Sequence, residues 1–378
     1  MLKIPRKIRR ACQINIDRRR AVGKILGASS MLAVPGLAIG GRGGFFGTDG
    51  GNKVQILSLQ TITLNPDILH PRQKNESIID FAKREIEGRQ LKLAKALESS
   101  LAQLKNDPFD PSVTFFTAPE IYWNIPWQAV KNKDELHQLS YIYNILVKKQ
   151  IQKLIKKFPA TEWGRLILLP GTNALLLPSK QNVNRYEAIN YVLAANNFGP
   201  GLERGVPYFS MWPKRYTAGI DFLGLSVDIN VEGEDTIIYT YHLSDGLSVE
   251  VYELSEITAQ HDTRSGHAPL FNNQILTSIP YGVTICADVG FPRLEEFIRP
   301  DIKLDFLIAA GQYVPKGSDF PKSVQYLIRN DGKNGLSADG TKQIPQCETW
   351  RVTNGKTSEL VQGRLLDNNV WVYQLDVT

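Results

Sequence analysis

This 378-residue chain predicts a layered α/β protein, on three observations. Short apolar and β-branched runs, among them KVQILSLQTI (53–62), SVTFFTAPE (112–120), GRLILLPG (164–171) and LDFLIAAG (304–311), have the length and composition of buried strands. Long segments between them repeat their apolar residues at helical spacing, and strands that alternate with helices build α/β layers. The hydrophobic share of 42% over this length supplies enough apolar surface for an extensive core.

Each element has its own reason. In ESIIDFAKREIEGRQLKLAKALESSLAQL (76–104), Ile79, Phe81, Ile86, Leu91, Leu93 and Leu97 fall broadly on a helical period, which predicts one long helix. KDELHQLSYIYNILVKKQIQKLIKKF (133–158) predicts a second, whose lysines read as a solvated face and not as a nucleic-acid patch. Pro119 stops the strand SVTFFTA, and Pro170 with Gly171 stops LILL. NRYEAINYVLAA (184–195) fits either a strand or a short helix. DTIIYTYHLSDGLSVEVYEL (235–254) is two alternating runs around Ser-Asp-Gly, the pattern of a hairpin. TAQHDTRSGHAPLFNN (258–273) reads as an irregular loop, followed by a strand YGVTI (281–285), a helix RLEEFIR (293–299) and the strand LDFLIAAG. ETWRVTNGKTSELVQG and NVWVYQLDV close the chain with further strands and turns.

The formal charge of +6 is unevenly spread. Residues 1–38 carry nine Lys or Arg and one acid; the remainder holds 35 basic and 37 acidic residues, so the folded body is slightly acidic and offers nucleic acid no basic surface. Residues 1–38 have the layout of an export leader: a basic front, an apolar stretch from Ile25 to Ala38, then small residues. The apolar stretch is shorter than the roughly 20 residues that span a bilayer. RRAVGK (19–24) resembles the bacterial twin-arginine signal, with Gly23 in place of the usual large apolar residue. The expectation is an exported, periplasmic protein; a cytoplasmic chain, or one anchored by an uncut leader, is the alternative. Gly-rich residues 39–52 read as a linker, since they lack the Gly-Lys-Ser/Thr ending of a phosphate loop. The single folded domain is expected over 53–378, with an insertion around 221–280.

Three cysteines form no disulfide framework. Cys12 lies in the leader. Cys286 and Cys347 remain, as one disulfide or as free thiols, and Cys286 is read here as free. Cys286 sits where YGVTI ends, just ahead of a turn and an expected helix whose unpaired N–H groups would lower the thiol pKa and make it a nucleophile. The rival reading is a core cysteine. Glu120 follows the strand SVTFFTA directly, at the C-terminal edge where α/β folds place ligands; shielded there, a carboxyl gains a raised pKa and can accept a proton. The rival is an acid facing solvent. Lys214, inside VPYFSMWPKRYTAGID (206–221), can neutralise an oxyanion, with Arg215 as competitor and a solvated basic pair as the rival. His261, Asp262 and His267 have neither the spacing nor the number of a zinc site, and no Gly-x-Ser-x-Gly elbow is present.

Taken in order, FFTAPE, PKRY and GVTICADVGFP, with the strands KVQILSLQ, LILLPGT and DFLIAAG around them, resemble the nitrilase superfamily of carbon–nitrogen hydrolases over most of residues 53–375. That resemblance implies a four-layer α-β-β-α sandwich. It also implies hydrolysis of an amide, nitrile or carbamoyl carbon–nitrogen bond through a Cys286 thioester, with Glu120 as general base and Lys214 as oxyanion stabiliser. It implies no metal or organic cofactor, a small-molecule substrate, and pairing into homodimers. Departures from the family pattern are Ala287 in place of an aromatic, Gly290 in place of an arginine, and Arg293 in place of a glutamate. The interval from Lys214 to Cys286 is also stretched to 72 residues. Many members carry a second glutamate after the lysine, for which Asp221, Glu232 and Glu234 are the choices. The alternatives are an N-acyltransferase using the same triad and a non-catalytic binding protein on the same scaffold.

Overall fold

The computed structural model describes residues 52–63, 70–178, 185–198, 208–214, 219–222, 226–232, 236–244, 246–252, 279–290, 302–336 and 343–378. The expected leader, nearly all of the linker, the loop 258–273 and the helix expected at 293–299 lie outside the described residues.

The chain begins with strand β1 (Asn52–Leu59), helix α1 (Ile78–Leu104), β2 (Val113–Ala118), α2 (Lys133–Lys156), β3 (Leu166–Pro170) and β4 (Thr172–Pro178). β5 (Arg185–Asn196), β6 (Tyr208–Pro213), β7 (Ser226–Glu232), β8 (Thr236–Ser244) and β9 (Leu247–Tyr252) follow. Then come β10 (Tyr281–Ile285), β11 (Leu304–Ala309), β12 (Tyr326–Leu336), β13 (Gln343–Thr353), β14 (Lys356–Leu360), β15 (Arg364–Leu365) and β16 (Val370–Val377). NRYEAINYVLAA, open between strand and helix in the sequence, is strand β5. The 235–254 hairpin is present as β8 and β9, and β7 pairs antiparallel with β8 beside it.

Two sheets result. The larger runs β15-β16-β1-β2-β3-β5-β9-β8-β7, with β4 and β6 also paired to β5; the smaller runs β10-β11-β12-β13-β14. β1, β2 and β3 are parallel, as are β10, β11 and β12, so several strand C-termini gather at one end.

Alternation along the strands explains why those runs are apolar throughout. Val54, Ile56, Val113, Phe115, Ile167 and Leu169 join Val283, Ile285, Phe306 and Ile308 in a core between the two sheets. Their immediate neighbours Leu57, Phe116, Leu166 and Leu168 join Phe81, Ile86, Leu93, Tyr143, Val147 and Ile151 in a core beneath the helices. A strand covered on both faces has no polar face to show. Aromatic edges lock the inner layer: Phe115 lies 4.7 Å from Phe306 and 5.2 Å from Tyr281, ring centre to ring centre.

The helices are placed by local chemistry as well. Ser77 caps α1 by accepting from the Asp80 N–H, and Asn132 caps α2 by accepting from the Glu135 N–H. Asp134 and Glu135 begin α2 and Lys153 and Lys156 end it, in the sense that complements the helix dipole. Lys148, Lys149 and Lys153 are exposed while Val147, Gln150 and Ile151 are buried, which makes the lysines a solvated face. Among the described residues no helix is long and apolar enough to cross a membrane.

The architecture is therefore a mixed α/β sandwich in which a helical layer, the larger sheet and the smaller sheet follow one another. The helix expected at 293–299, on the far side of the α-β-β-α order, lies outside the described residues.

Candidate active site

Glu120, Lys214 and Cys286 come from three separate strand ends: β2, β6 and β10. Each is a polar group at the point where an apolar strand stops, and the two-sheet packing brings those points together. All three are buried, with exposures of 0%, 2% and 5%. The Lys214 Nζ donates to Glu120 Oε1 at 2.9 Å and to Asp221 Oδ1 at 2.5 Å. Asp221 lies on the short turn Gly219–Phe222 and is also buried. Of the three acids weighed for a place near the lysine, Asp221 occupies it; the side chains of Glu232 and Glu234 lie outside the described residues, as does Arg215.

The turn that carries Glu120 is tightly held. Its N–H donates to the Ala309 carbonyl at the end of β11, so Glu120 is tied to the smaller sheet. Ile121 N–H donates to Thr172 Oγ1 at 2.8 Å and Trp123 N–H donates to the Thr172 carbonyl. Ile121 adopts φ of 68°, a left-handed backbone that a β-branched residue resists, and such positions cost on the order of 1–3 kcal/mol each. Cys286 has φ of 46° and opens the 3-10 turn Cys286–Gly290, so Cys286 itself and the residue after Glu120 sit on backbone that surrounding contacts must hold in place. Gly171, at φ of +81°, makes the Glu120 turn possible. A Cβ there would lie 2.5 Å from both the Pro119 carbonyl oxygen and the Tyr122 Cβ. Gly171→Ala is expected to lower stability by about 1–3 kcal/mol and to cut kcat about a hundredfold through displacement of Glu120. Thermal unfolding and steady-state kinetics read the two effects separately.

Two asparagines complete the frame, and neither stood out in the sequence. Asn190 on β5 donates from Nδ2 to Glu120 Oε1 at 3.0 Å, while its carbonyl accepts from the Lys214 N–H at 2.6 Å. Asn124 donates to the Asp221 carbonyl at 2.6 Å and accepts from the Ala174 N–H at 2.8 Å, which joins the Asp221 turn to β4. The available signal was one asparagine within each of the apolar runs AINYV and IYWNIPW. Behind Asp221, Phe222 packs 5.6 Å from Trp127 and 4.9 Å from Tyr241, which closes that side with rings.

Burial governs the electrostatics. It pushes the Glu120 carboxyl up to about 7, against the pull of Lys214 and with a further push from Asp221. For Lys214 burial works against the charge, yet the Asp221 and Glu120 carboxylates outweigh it and hold the ammonium well above the usual lysine range. The Cys286 thiol is raised well above its usual value, first by burial and then by the Glu120 charge. This corrects the expectation of a lowered thiol pKa: the sulfur is out of water and an acid is its near neighbour, while the expected helix lies outside the described residues. Cys286 and Glu120 lie close enough for each to shift the ionisation of the other. Glu120 Oε1 serves Lys214 and Asn190; its Oε2 receives no N–H or O–H donor among the described residues. Such an arrangement can pass a proton from sulfur to carboxylate and favours a protonated thiol at rest.

Cys286 and Cys347 are both free and buried, which settles the open disulfide. Cys347 packs in the core between Asn330 and the Ser58 carbonyl, away from this cluster.

No family model and no curated protein matches the chain. Solved structures do. A carbon–nitrogen hydrolase from Helicobacter pylori aligns at TM-score 0.39 and 13% identity, covering 86% of this chain and 89% of that one. Nit3 from Saccharomyces cerevisiae, a member of branch 10 of the nitrilase superfamily, aligns at 0.36 and 11%, covering 86% and 90%. A double mutant of the amidase from Nesterenkonia sp., in complex with acrylamide, aligns at 0.34 and 9%, covering 88% and 93%. At these scores the alignments assign no activity to this chain, and its chemistry is read from its own residues.

Proposed function

We propose that the chain hydrolyses a non-peptide carbon–nitrogen bond of a small molecule, with Cys286 as nucleophile, Glu120 as general base and Lys214 as oxyanion stabiliser. One observation carries the reading: a thiol, a carboxyl and an ammonium, 166 residues apart at their extremes, meet in one water-poor cluster in which each alters the ionisation of the others. In the proposed cycle Glu120 takes the thiol proton as sulfur attacks the substrate carbon. The pair displaced from the carbon–heteroatom π bond is met by the Lys214 ammonium. With an amide, Glu120 returns the proton to the departing nitrogen, the carbon–nitrogen bond breaks, and a thioester remains; a nitrile gives a thioimidate, which must first add a water to reach the same point. Water, deprotonated by Glu120, then releases the acid and the thiol. Asp221 is a positioning residue for Lys214, through the 2.5 Å contact.

Intact mass spectrometry tests the reading. In Cys12→Ser protein, iodoacetamide at neutral pH is expected to alkylate Cys286 once, with Glu120 to take its proton, and to spare Cys347, which packs against Asn330 and the Ser58 carbonyl without that base. A panel of amides and nitriles is expected to leave an acyl adduct on wild-type protein and none on Cys286→Ala. Alkylation of both cysteines alike, or an adduct that survives Cys286→Ala, counts against the assignment.

A further inference from the structure

The cluster contains an acceptor that the proposed cycle leaves unused. Asn190 is buried, with 5% of its surface exposed. Its Nδ2 donates to Glu120 Oε1, and a carboxylate oxygen accepts only, so the amide orientation is fixed by its partner. Oδ1 therefore faces elsewhere, and it is buried with no donor among the described residues. A buried acceptor without a donor costs about 1–3 kcal/mol, so the position favours a ligand that brings an N–H.

The rest of the cluster sets what else that ligand offers. Lys214 has three N–H bonds and among the described residues spends two of them, on Glu120 and Asp221. Glu120 Oε2 has no hydrogen-bond partner among the described residues, and in the proposed cycle it is the oxygen that takes the thiol proton. With Glu120 Oε2 assigned to the thiol proton, the groups of this cluster left unspent among the described residues are one donor, from Lys214, and one acceptor, from Asn190. A primary amide matches both, since its oxygen accepts and its nitrogen donates. A nitrile has no N–H at the reacting group, and an ester has none at all.

Resting on the hydrolase reading above, we infer that Asn190 reads the N–H of the scissile group and that the substrate is a primary amide in preference to a nitrile. The Asn190 Oδ1 accepts one amide hydrogen and so turns the nitrogen lone pair toward Glu120 as the carbon becomes tetrahedral. Glu120 delivers to that lone pair the proton it took from sulfur, the carbon–nitrogen bond breaks with its electrons going to nitrogen, and ammonia leaves. Asn190 forms no bond to carbon and is a specificity residue.

The test uses matched sets of amide, nitrile and 4-nitrophenyl ester on acetyl, propionyl, butyryl and benzoyl groups, assayed with the full chain. For the acyl group turned over fastest, kcat/KM for the amide is expected to exceed that for the nitrile by at least about a hundredfold, the scale on which sites built for a donor reject analogues without one. Asn190→Ala is expected to lower ester kcat/KM through the lost contact to Glu120 and to lower amide kcat/KM by at least about tenfold more, in line with the additional loss of one hydrogen bond at the reacting nitrogen. A wild-type nitrile rate within tenfold of the amide overturns the inference and leaves the hydrolase reading standing; this comparison needs no variant to fold. Equal loss of amide and ester rates in Asn190→Ala also overturns it, because Asn190 then only braces Glu120. Absence of turnover and of any Cys286 adduct across every set removes the hydrolase reading itself.

Discussion

Replacing Lys214 by Met is expected to destabilise the fold by about 3–5 kcal/mol at pH 8, the usual consequence of removing one partner from a buried ion pair. The substitution conserves length and apolar bulk, so the loss is electrostatic. Glu120 and Asp221 both lean on the same ammonium, and without it two buried carboxyls share a site with no cation between them. The pH dependence follows with a definite sign. Glu120 already sits at about 7 with Lys214 pulling it down, so removing the lysine drives it higher still. The native state of the variant then holds a proton over a range in which the unfolded chain, near the ordinary carboxyl value, has released it. Where the native state binds more protons than the unfolded one, stability falls as pH rises. Lys214→Met should therefore lie much closer to wild type at pH 5.5 than at pH 8.5 when the two are compared by denaturant titration. Activity should fall as well, by about a hundred- to a thousandfold, because the proposed oxyanion donor is gone. A stability loss of equal size at both pH values would mean that the carboxyls do not depend on one shared cation.

The same cluster shows what sequence reasoning can and cannot reach. Glu120, Lys214 and Cys286 were legible because each ends an apolar run, and a strand end marks both a place in the fold and an exit from the core. Helices α1 and α2 were legible because an amphipathic period is a local property, written over 27 and 24 residues. Asn190 was not, since its meaning depends on which strands flank β5. In the structure β4 and β6 both pair with β5, and the ladder to β6 puts Lys214 beside Asn190. No local pattern announces that pairing. Asp221 stayed one of three acids because a turn of four residues carries no period that would aim its side chain. The direction of the Cys286 shift was misread for a related reason. A helix end is visible in sequence, whereas the depth of a thiol beneath two sheets and its distance from an acid 166 positions earlier are not. Burial outweighed the local cue, and the consequence is mechanistic: a thiol held protonated needs its base within reach.

That dependence makes Glu120→Gln the sharpest probe of the chemistry. Gln keeps the shape and can still receive Lys214 and Asn190 at its oxygen, so the fold should persist while the proton acceptor disappears. Loss of a general base costs about 10²–10⁴ in rate, and kcat/KM is expected to fall by that much near neutral pH. In wild type the carboxyl must be ionised to take the thiol proton, and burial holds it at about 7. The profile of log kcat/KM against pH should thus rise with unit slope on the acid side and bend near pH 7, well above the range of an exposed glutamate. Asp221 is one of the charges that raise Glu120, so Asp221→Asn should move the bend to lower pH. In Glu120→Gln the bend should vanish. Its residual rate, and the rate of Cys286 alkylation by iodoacetamide, should instead climb steadily into the alkaline range. The thiol must then ionise by itself, and it does so more readily than before because the Glu120 charge that opposed its ionisation has gone. A bend at pH 7 shared by wild type and Glu120→Gln would assign the titration to another group and remove Glu120 from the role of base.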